Sequence, residues 1–260
     1  ARTGFAPFAK KGIALVEEGS YAEEYAKKHG IPSYVAATAA SSFEYSLQED
    51  GTVRIDKFIG SETDVVIPAE IDGYPVTAIA EEAFRDRWNL TSVVLPESLV
   101  SIGDKAFYNC NLTGISIPEG VTSIGDAAFA DIAPSAGITV APGNTVFTVE
   151  DGVLIDRQQK KLLWYSRERS NAGYQIPEGI TAIGDYAFRY CDGLTGIWVD
   201  PNNQNYSSDA KGVLLNKDKT TLVQAPGKLS GAYEIPDSVI TIGERAFSSC
   251  DGLTSVTIPD

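Results

Sequence analysis

The stretch Ile117-Pro118-Glu119-Gly120-Val121-Thr122-Ser123-Ile124-Gly125-Asp126-Ala127-Ala128-Phe129 returns almost letter for letter at 176–188 and again at 235–247. Looser copies begin at Ile67 and Leu95. Every copy carries the same apolar pattern, and a unit this short buries an apolar face only against its neighbours. The sequence therefore predicts an array of repeats that stack on one another, a solenoid.

The composition argues against two classes of protein. The 260 residues carry a formal net charge of -14, with 35 Asp and Glu against 21 Lys and Arg. Nucleic-acid binding requires a basic footprint, so we predict no DNA or RNA partner. The sequence also lacks a run of about 18 apolar residues, the minimum for a membrane-spanning helix, and we predict no such segment.

The three cysteines occupy the same position in different copies of the repeat. Cys110, Cys191 and Cys250 each follow an Ala-Phe pair, with two residues between. Their coils are not adjacent, whereas a disulfide needs Cα atoms within about 7 Å of each other. We therefore predict that each cysteine is a small buried hydrophobe and not a metal ligand or a nucleophile.

Residues 1–40 do not follow the repeat and are predicted to form a terminal cap helix and linker, the end of a preceding array. Their clearest element is a helix over 20–29, which Ser20 caps and the Gly and Pro that follow stop. Small residues at 36–42 indicate a linker. The repeat array then fills 41–260, and because it stops part-way into another copy, we expect the chain to be a segment of a longer protein.

Each repeat begins with a short strand such as Leu90 to Leu95, with alternate residues facing inward. The Pro that follows has no N–H for the strand ladder and ends the strand. Strands of successive coils are expected to stack as a parallel sheet. The Gly-Asp pair, as at Gly103-Asp104, is predicted to start a helical turn that carries Ala and Phe inward, with the Asp capping its free N–H groups. Before the first repeat, Asp50-Gly51 between two alternating runs predicts a β-hairpin.

The repeat period lengthens at Ala141. Residues 141–199 and 200–258 are two copies of a longer unit, in which an insertion precedes an ordinary coil. The insertions lie at about 141–175 and 200–234, and in each a polar turn separates two apolar runs. We predict two β-hairpins that protrude from one side of the array.

These features combine into one motif: a Leu-x-x-Ile-x-Ile-Pro strand, a Val-Thr-x-Ile-Gly-Asp-x-Ala-Phe return and a following Cys. The motif resembles the BspA-type leucine-rich repeats of bacterial surface proteins, over about residues 43–260, and Gly19 to Pro32 resembles the terminal segment of such an array. The resemblance implies a leucine-rich-repeat solenoid, an α/β right-handed superhelix rich in β-structure, with short strands and short helical turns. It also implies a secreted or surface-displayed bacterial protein with an adhesion-like role, although a fold alone does not assign a function.

The sequence contains no strong candidate for a catalytic or metal-binding residue. The single histidine, His29, has no second His or Cys beside it, as a metal site would require. Most carboxylates recur with the coil, whereas catalysis needs one asymmetric cleft, so a glycosidase-like pair is a remote alternative. Calcium at Asp200-Pro201-Asn202-Asn203 is disfavoured against a plain surface loop, since no calcium-loop spacing is present. We predict no catalytic residue, no metal and no cofactor.

The aromatic residues give the remaining candidate site. Trp198 lies between two core positions of its strand, so its side chain is expected to point outward. Equivalent strand positions hold Val94, Ser116, Thr139 and Thr257. These five residues, with Trp164 and Tyr165 from a neighbouring hairpin, are our predicted binding residues, because exposed aromatics mark binding surfaces. The alternative is that Trp198 packs under an insertion and covers Trp164 and Tyr165, or Tyr206.

Three functions follow from this reasoning. The first is a non-enzymatic binding module of a bacterial surface or secreted protein that recognises a host or microbial protein or a glycan. The second is a structural spacer that displays another domain. The third, a carbohydrate-active enzyme, is remote. An exposed aromatic patch favours binding, and a uniformly charged surface without patches favours the spacer.

Overall fold

The computed structural model describes residues 14–16, 33–35, 37–133, 135–169 and 173–259, and in these ranges the chain is mostly β-strand and turn. Two short 3₁₀ helices occur within them, at Ala40–Ser42 and Arg167–Arg169. The helix predicted over 20–29, with His29, lies outside the described residues. On either side of it, two short strands pair in parallel, β1 (Ala14–Val16) and β2 (Ser33–Val35), which the sequence reasoning did not predict.

The strands of the first part of the array are short, as the repeat requires. They are β3 (Phe43–Leu47), β4 (Val53–Phe58), β5 (Asp64–Val66), β6 (Glu70–Ile71), β7 (Tyr74–Ile79), β8 (Ser92–Val94), β9 (Ser101–Ile102), β10 (Gly114–Ile117), β11 (Ser123–Ile124) and β12 (Gly137–Val140). The predicted hairpin around Asp50-Gly51 is present, because β3 and β4 pair antiparallel across it.

The second part holds the two longer units. Its strands are β13 (Phe147–Glu150), β14 (Val153–Asp156), β15 (Lys161–Tyr165), β16 (Gly173–Ile176), β17 (Ala182–Ile183), β18 (Gly196–Val199), β19 (Tyr206–Ser208), β20 (Leu214–Asn216), β21 (Thr221–Gln224), β22 (Ser230–Glu234), β23 (Thr241–Ile242) and β24 (Gly252–Thr257).

Two sides of the coil are built from strands. The strands that precede Pro form parallel pairs, β5 with β8, β10 with β12, β16 with β18 and β22 with β24. We call the outward-facing side of these strands the strand face. The return strands form a second set of sheets, in the orders β11-β9-β7-β4-β3, β13-β14-β15-β17 and β19-β20-β21-β23. The predicted stacking of parallel strands is therefore confirmed.

The turns that begin with Gly-Asp are not helical, in contrast to the prediction. Lys105 and Asn109 have φ angles of 52° and 55°, and the same two positions of the other turns are also left-handed. This alternation points every second N–H along the array and not along the turn, so Phe107 N donates to the Ala128 carbonyl of the next coil at 2.9 Å. Asp104 likewise accepts from the Asp126 N–H of the next coil, at 2.9 Å, instead of capping its own turn.

Both insertions form the predicted hairpins, but the hairpins do not protrude. In the first, β14 and β15 pair antiparallel, and β15 pairs in parallel with β17 of the following coil. The second insertion repeats this arrangement through β20, β21 and β23. Every residue of β14 is buried, because a strand that is apolar at successive positions needs cover on both of its faces. The insertions therefore widen the return sheets.

Three apolar clusters follow one another along the array, and the Phe side chains of successive turns stack in the first of them. The rings of Phe84 and Phe107 stack with centroids 4.9 Å apart, and Phe107 and Phe129 stack at 5.7 Å and nearly parallel. Stacking ends where the insertions separate the coils: Phe188 packs against Tyr165 at 5.5 Å instead.

Candidate functional site

The strand face carries the predicted binding residues at equivalent positions. Val94, Ser116, Thr139, Trp198 and Thr257 are all exposed. The first three lie on neighbouring strands, since Thr113 N of the segment before β10 donates to Thr91 O at 3.0 Å and Ser116 pairs with Thr139. Trp198 pairs with Gln175, and Thr257 pairs with Glu234, in two further strand pairs. The strand face is therefore a series of strand pairs, and Trp198 is the one aromatic among these five residues.

The indole of Trp198 lies over two glycines and is held there. A Cβ at Gly173 would come within 2.8 Å of the indole Nε1, and a Cβ at Gly196 within 2.8 Å of Cε2 and Nε1. Both glycines lie two residues before the Gln175–Trp198 pair and so on the same side of the sheet, and their missing side chains leave the space that the ring fills. Trp198 nevertheless remains 40% exposed. The alternative in which an insertion covers Trp198 is thus wrong, and the indole is a fixed surface ring.

A cleft with charged side chains lies near the strand that carries this indole. The Ile197 N–H donates to Gly212 O at 2.8 Å, which places the 209–213 segment next to β18. Between this segment and β22 is a cavity of about 390 Å³ that is lined by Asp209, Ala210, Lys211, Ala232, Tyr233 and Glu234. The Tyr233 hydroxyl donates to Asp209 Oδ2 at 2.9 Å, and burial and this bond raise the pKa of Tyr233. The 209–213 segment therefore brings hydrogen-bond donors and acceptors close to the strand that carries Trp198.

Trp164 and Tyr165 do not belong to the exposed surface, and their assignment as binding residues is corrected. They are 6% and 2% exposed. Tyr165 packs edge-on against Tyr174 at 5.2 Å and against Phe188. Because the first insertion joins the return sheet, these side chains face the core and fill the place of the interrupted phenylalanine stack.

The sequence reasoning missed a cluster of arginine and tyrosine side chains on the turns. The Arg189 guanidinium lies 5.4, 5.1 and 4.7 Å from the ring centroids of Tyr108, Tyr186 and Tyr190. Its Nε is 2.8 Å from Asp131 Oδ1, and both side chains are mostly buried. Burial raises the pKa of the Asp131 carboxyl, while the Tyr108 hydroxyl and Arg189 oppose that shift. In the sequence, the only signal for this cluster is that Tyr and Arg occupy turn positions where other copies of the repeat have different residues.

The three cysteines are buried and unpaired, as the repeat predicted. Burial raises the pKa of the Cys110 and Cys191 thiols to about 12, and that of Cys250 to about 11. A thiol with a raised folded-state pKa stabilises the fold fully below the unfolded value of about 9, and this contribution is lost as the pH rises through 11 to 12.

We expect iodoacetamide at pH 8.5 to leave the native thiols largely unmodified and to alkylate all three in urea. The reason is that the thiolate is the reactive species and burial disfavours it. Mass spectrometry after timed quenching measures this, with the urea-unfolded chain as the positive control. If one thiol were alkylated rapidly in the folded protein, that thiol would be accessible to solvent, which would contradict its burial.

The described part of the chain contains no group of three or more His, Cys, Asp and Glu side chains placed to hold a metal ion. At the loop considered for calcium, the Asn203 amide is buried and donates to Pro177 O and Ile180 O, at 2.8 and 2.9 Å. Its oxygen accepts from two backbone N–H groups, so this side chain is fully engaged within the protein. No helix in the described ranges is long and apolar enough to cross a membrane.

The strands end at Pro and stack in parallel from one coil to the next. Leu, Ile and Val occupy the same inward positions in each strand. These features together define a leucine-rich-repeat solenoid. Residues 64–153, 166–211 and 230–260 match the BspA type Leucine rich repeat region, in six copies. These matches cover more than half of the sequence, and the chain belongs to this family. No curated protein matches the sequence.

Three solved structures are similar to this chain. A leucine rich cell surface protein from Faecalibacterium prausnitzii is 19% identical with a TM-score of 0.46, over 86% of this chain and 95% of that one. The pneumococcal vaccine antigen PcpA is 20% identical with a TM-score of 0.49, over 88% and 68%. A leucine-rich repeat protein from Eubacterium ventriosum is 25% identical with a TM-score of 0.40, over 85% and 58%. The family assignment depends on the sequence match and not on these structures.

Proposed function

We propose that this chain is a non-enzymatic binding module of a bacterial surface or secreted protein, and that it recognises a protein or a glycan through the strand face around Trp198. The family supports the general class, a repeat surface that binds other macromolecules. The single observation that carries the proposal is the Trp198 indole, which is fixed over Gly173 and Gly196 with one side open to solvent.

A fixed and exposed indole suits binding for two physical reasons. Its large apolar surface gains free energy when a partner covers it. Its orientation is already set by the glycines, so little side-chain entropy is lost when it is covered. The adjacent cleft, with Asp209, Lys211 and Glu234, supplies charged groups that fix the orientation of a partner. A spacer has no need of such a ring.

Trp198→Ala is expected to weaken binding by about 1–2 kcal/mol, or roughly five- to thirty-fold in Kd. The experiment first screens the wild-type chain against immobilised extracellular-matrix proteins and a glycan array. The affinity of each hit is then measured by surface plasmon resonance for the wild type and the variant.

Trp88→Ala is the matched control, because Trp88 is 75% exposed but is not held on the strand face. We expect this change to leave the affinity unaltered. Equal losses for the two variants, or no loss for Trp198→Ala, would exclude the strand face as the binding surface. A screen without any hit would favour the spacer.

A further inference from the structure

The strand face contains three equivalent strand pairs, and only the middle pair carries an aromatic ring at its outward positions. In this pair, formed by β16 and β18, Gln175 lies beside Trp198. The other two pairs are β10 with β12 and β22 with β24, and their equivalent positions hold hydroxyl and carboxyl groups, in Ser116, Thr139, Glu234 and Thr257. Trp198 is therefore a single exposed ring among polar side chains.

The indole of Trp198 contacts the sheet through the edge that carries Nε1. The ring atoms nearest to the missing Cβ positions of Gly173 and Gly196 are Cδ1, Nε1, Cε2 and Cζ2, which follow one another along this edge. Because these atoms are turned toward the two glycines, a ligand reaches the ring from its other side. The 40% exposure of Trp198 shows that this side is open.

The surroundings of the ring are too polar for the centre of a protein interface. The core of such an interface is apolar and depleted of charged residues, and its anchors lie within a packed patch. Around Trp198, the outward positions hold only Gln175 and the two glycines, and the nearby cleft adds charged side chains. A sugar is a better match, because a pyranose ring combines an apolar C–H face with a rim of hydroxyl groups.

The Gln175 side chain supplies hydrogen-bonding groups for the hydroxyl rim of a sugar. It is exposed and lies one strand, or about 4.8 Å, from Trp198. Within the part of the chain that the structure describes, its amide makes no hydrogen bond. A free amide offers both a donor and an acceptor, so it can bind two neighbouring hydroxyl groups.

The charges near the ring select against acidic sugars. The cleft near β18 holds two carboxylates, those of Asp209 and Glu234, and one cation, that of Lys211. The Lys211 ammonium already donates to the Ala232 carbonyl at 2.8 Å. The whole chain also carries a net charge of -14, so a uronic acid or a sulfated sugar is repelled and a neutral sugar is not.

We propose that Trp198 and Gln175 bind one neutral pyranose unit of a glycan whose hydroxyl groups are equatorial, as in β-linked glucose or N-acetylglucosamine. Equatorial hydroxyl groups leave only axial C–H groups on the faces of the sugar. These carry a small positive charge and would lie against the indole, whose face is negative. The Gln175 amide would bind hydroxyl groups at the sugar's edge. This inference rests on the proposed function and names the class of its ligand.

The test is an NMR titration of the full chain with three neutral tetrasaccharides: cellotetraose, laminaritetraose and N-acetylchitotetraose. At least one is expected to shift the Trp198 indole N–H resonance saturably, and Trp198→Ala identifies that resonance by its loss. Saturation transfer should be strongest at the axial protons that share one face of a sugar unit. The tetramer of β-1,4-linked glucuronate, the acidic counterpart of cellotetraose, is expected to bind about ten-fold more weakly than cellotetraose. Equal binding of these two would contradict the selection for a neutral sugar.

Gly196→Ala is the decisive variant, because it displaces the ring without removing it. The added Cβ would come within 2.8 Å of indole Cε2 and Nε1, so the side chain has to leave its position. We expect binding of the tetrasaccharide to weaken about five-fold, since the orientation of the ring is lost. Gly137→Ala is the matched control at the equivalent position of β12, where a Cβ meets no atom within 4 Å, and binding should be unchanged.

Gln175→Ala gives a second test that leaves the ring in place, and it should weaken binding about two- to ten-fold. Unchanged affinity in both Gly196→Ala and Gln175→Ala would overturn the proposal. If no tetrasaccharide shifts the indole but a matrix protein binds through Trp198, the sugar inference fails and the proposed function stands. If neither a sugar nor a protein depends on Trp198, both fail.

Discussion

Truncation of Phe107 to alanine is expected to lower the free energy of unfolding by about 3–5 kcal/mol. The side chain is fully buried and lies between two rings, at 4.9 Å from Phe84 and 5.7 Å from Phe129. Its loss removes apolar burial and leaves a cavity in a stack that adjacent coils share, so the interfaces on both sides weaken. Urea unfolding followed by circular dichroism measures the change.

Phe247→Ala is the matched control for Phe107→Ala. Phe247 occupies the same repeat position in the last turn, where it is only partly buried and has Tyr233 at 5.9 Å as its aromatic neighbour. We expect clearly less destabilisation there. Similar losses at both positions would show that stacking between coils contributes little at Phe107.

Asn144→Ala is expected to destabilise the fold by about 3–5 kcal/mol, although it removes a polar side chain. The buried amide donates to Pro118 O and Val121 O, at 2.9 Å each, and accepts from Val146 N and Phe147 N at 2.9 and 2.8 Å. Alanine leaves these buried backbone groups without partners, and each unsatisfied group costs about 1–3 kcal/mol. The change in urea midpoint gives the measurement.

Asn202→Ala serves as the control for Asn144→Ala, since Asn202 is exposed in the matching loop of the second longer unit. A change within about 0.5 kcal/mol is expected there. If Asn144→Ala proved equally mild, the buried amide would not be what fastens the insertion to the preceding coil.

Sequence reasoning succeeded where the signal is local and repeated. The stacked parallel strands, the Pro that ends each one, the hairpins of the insertions and the buried cysteines all follow from a pattern that occurs several times. The prediction of helical turns after Gly-Asp was wrong, because no particular residue type marks the two left-handed positions of each turn. Lys, Asn, Ala and Tyr all occur there. Sequence reasoning also recognised 141–199 and 200–258 as copies of one unit, but it did not find the backbone groups that Asn144 and Asn203 hold in them.

The candidate sites divide in the same way. The alternation of each strand determined that Trp198 faces outward, since side chains of a strand alternate between its two sides. Tertiary structure alone decided that Gly173 and Gly196 leave the space for the ring, and that Trp164 and Tyr165 turn into the core. Each of these depends on contacts between coils, whose residues are distant in sequence, and on how the insertions space those coils. A repeat pattern determines which side of a strand a residue occupies, but the packing of neighbouring coils determines what that residue touches.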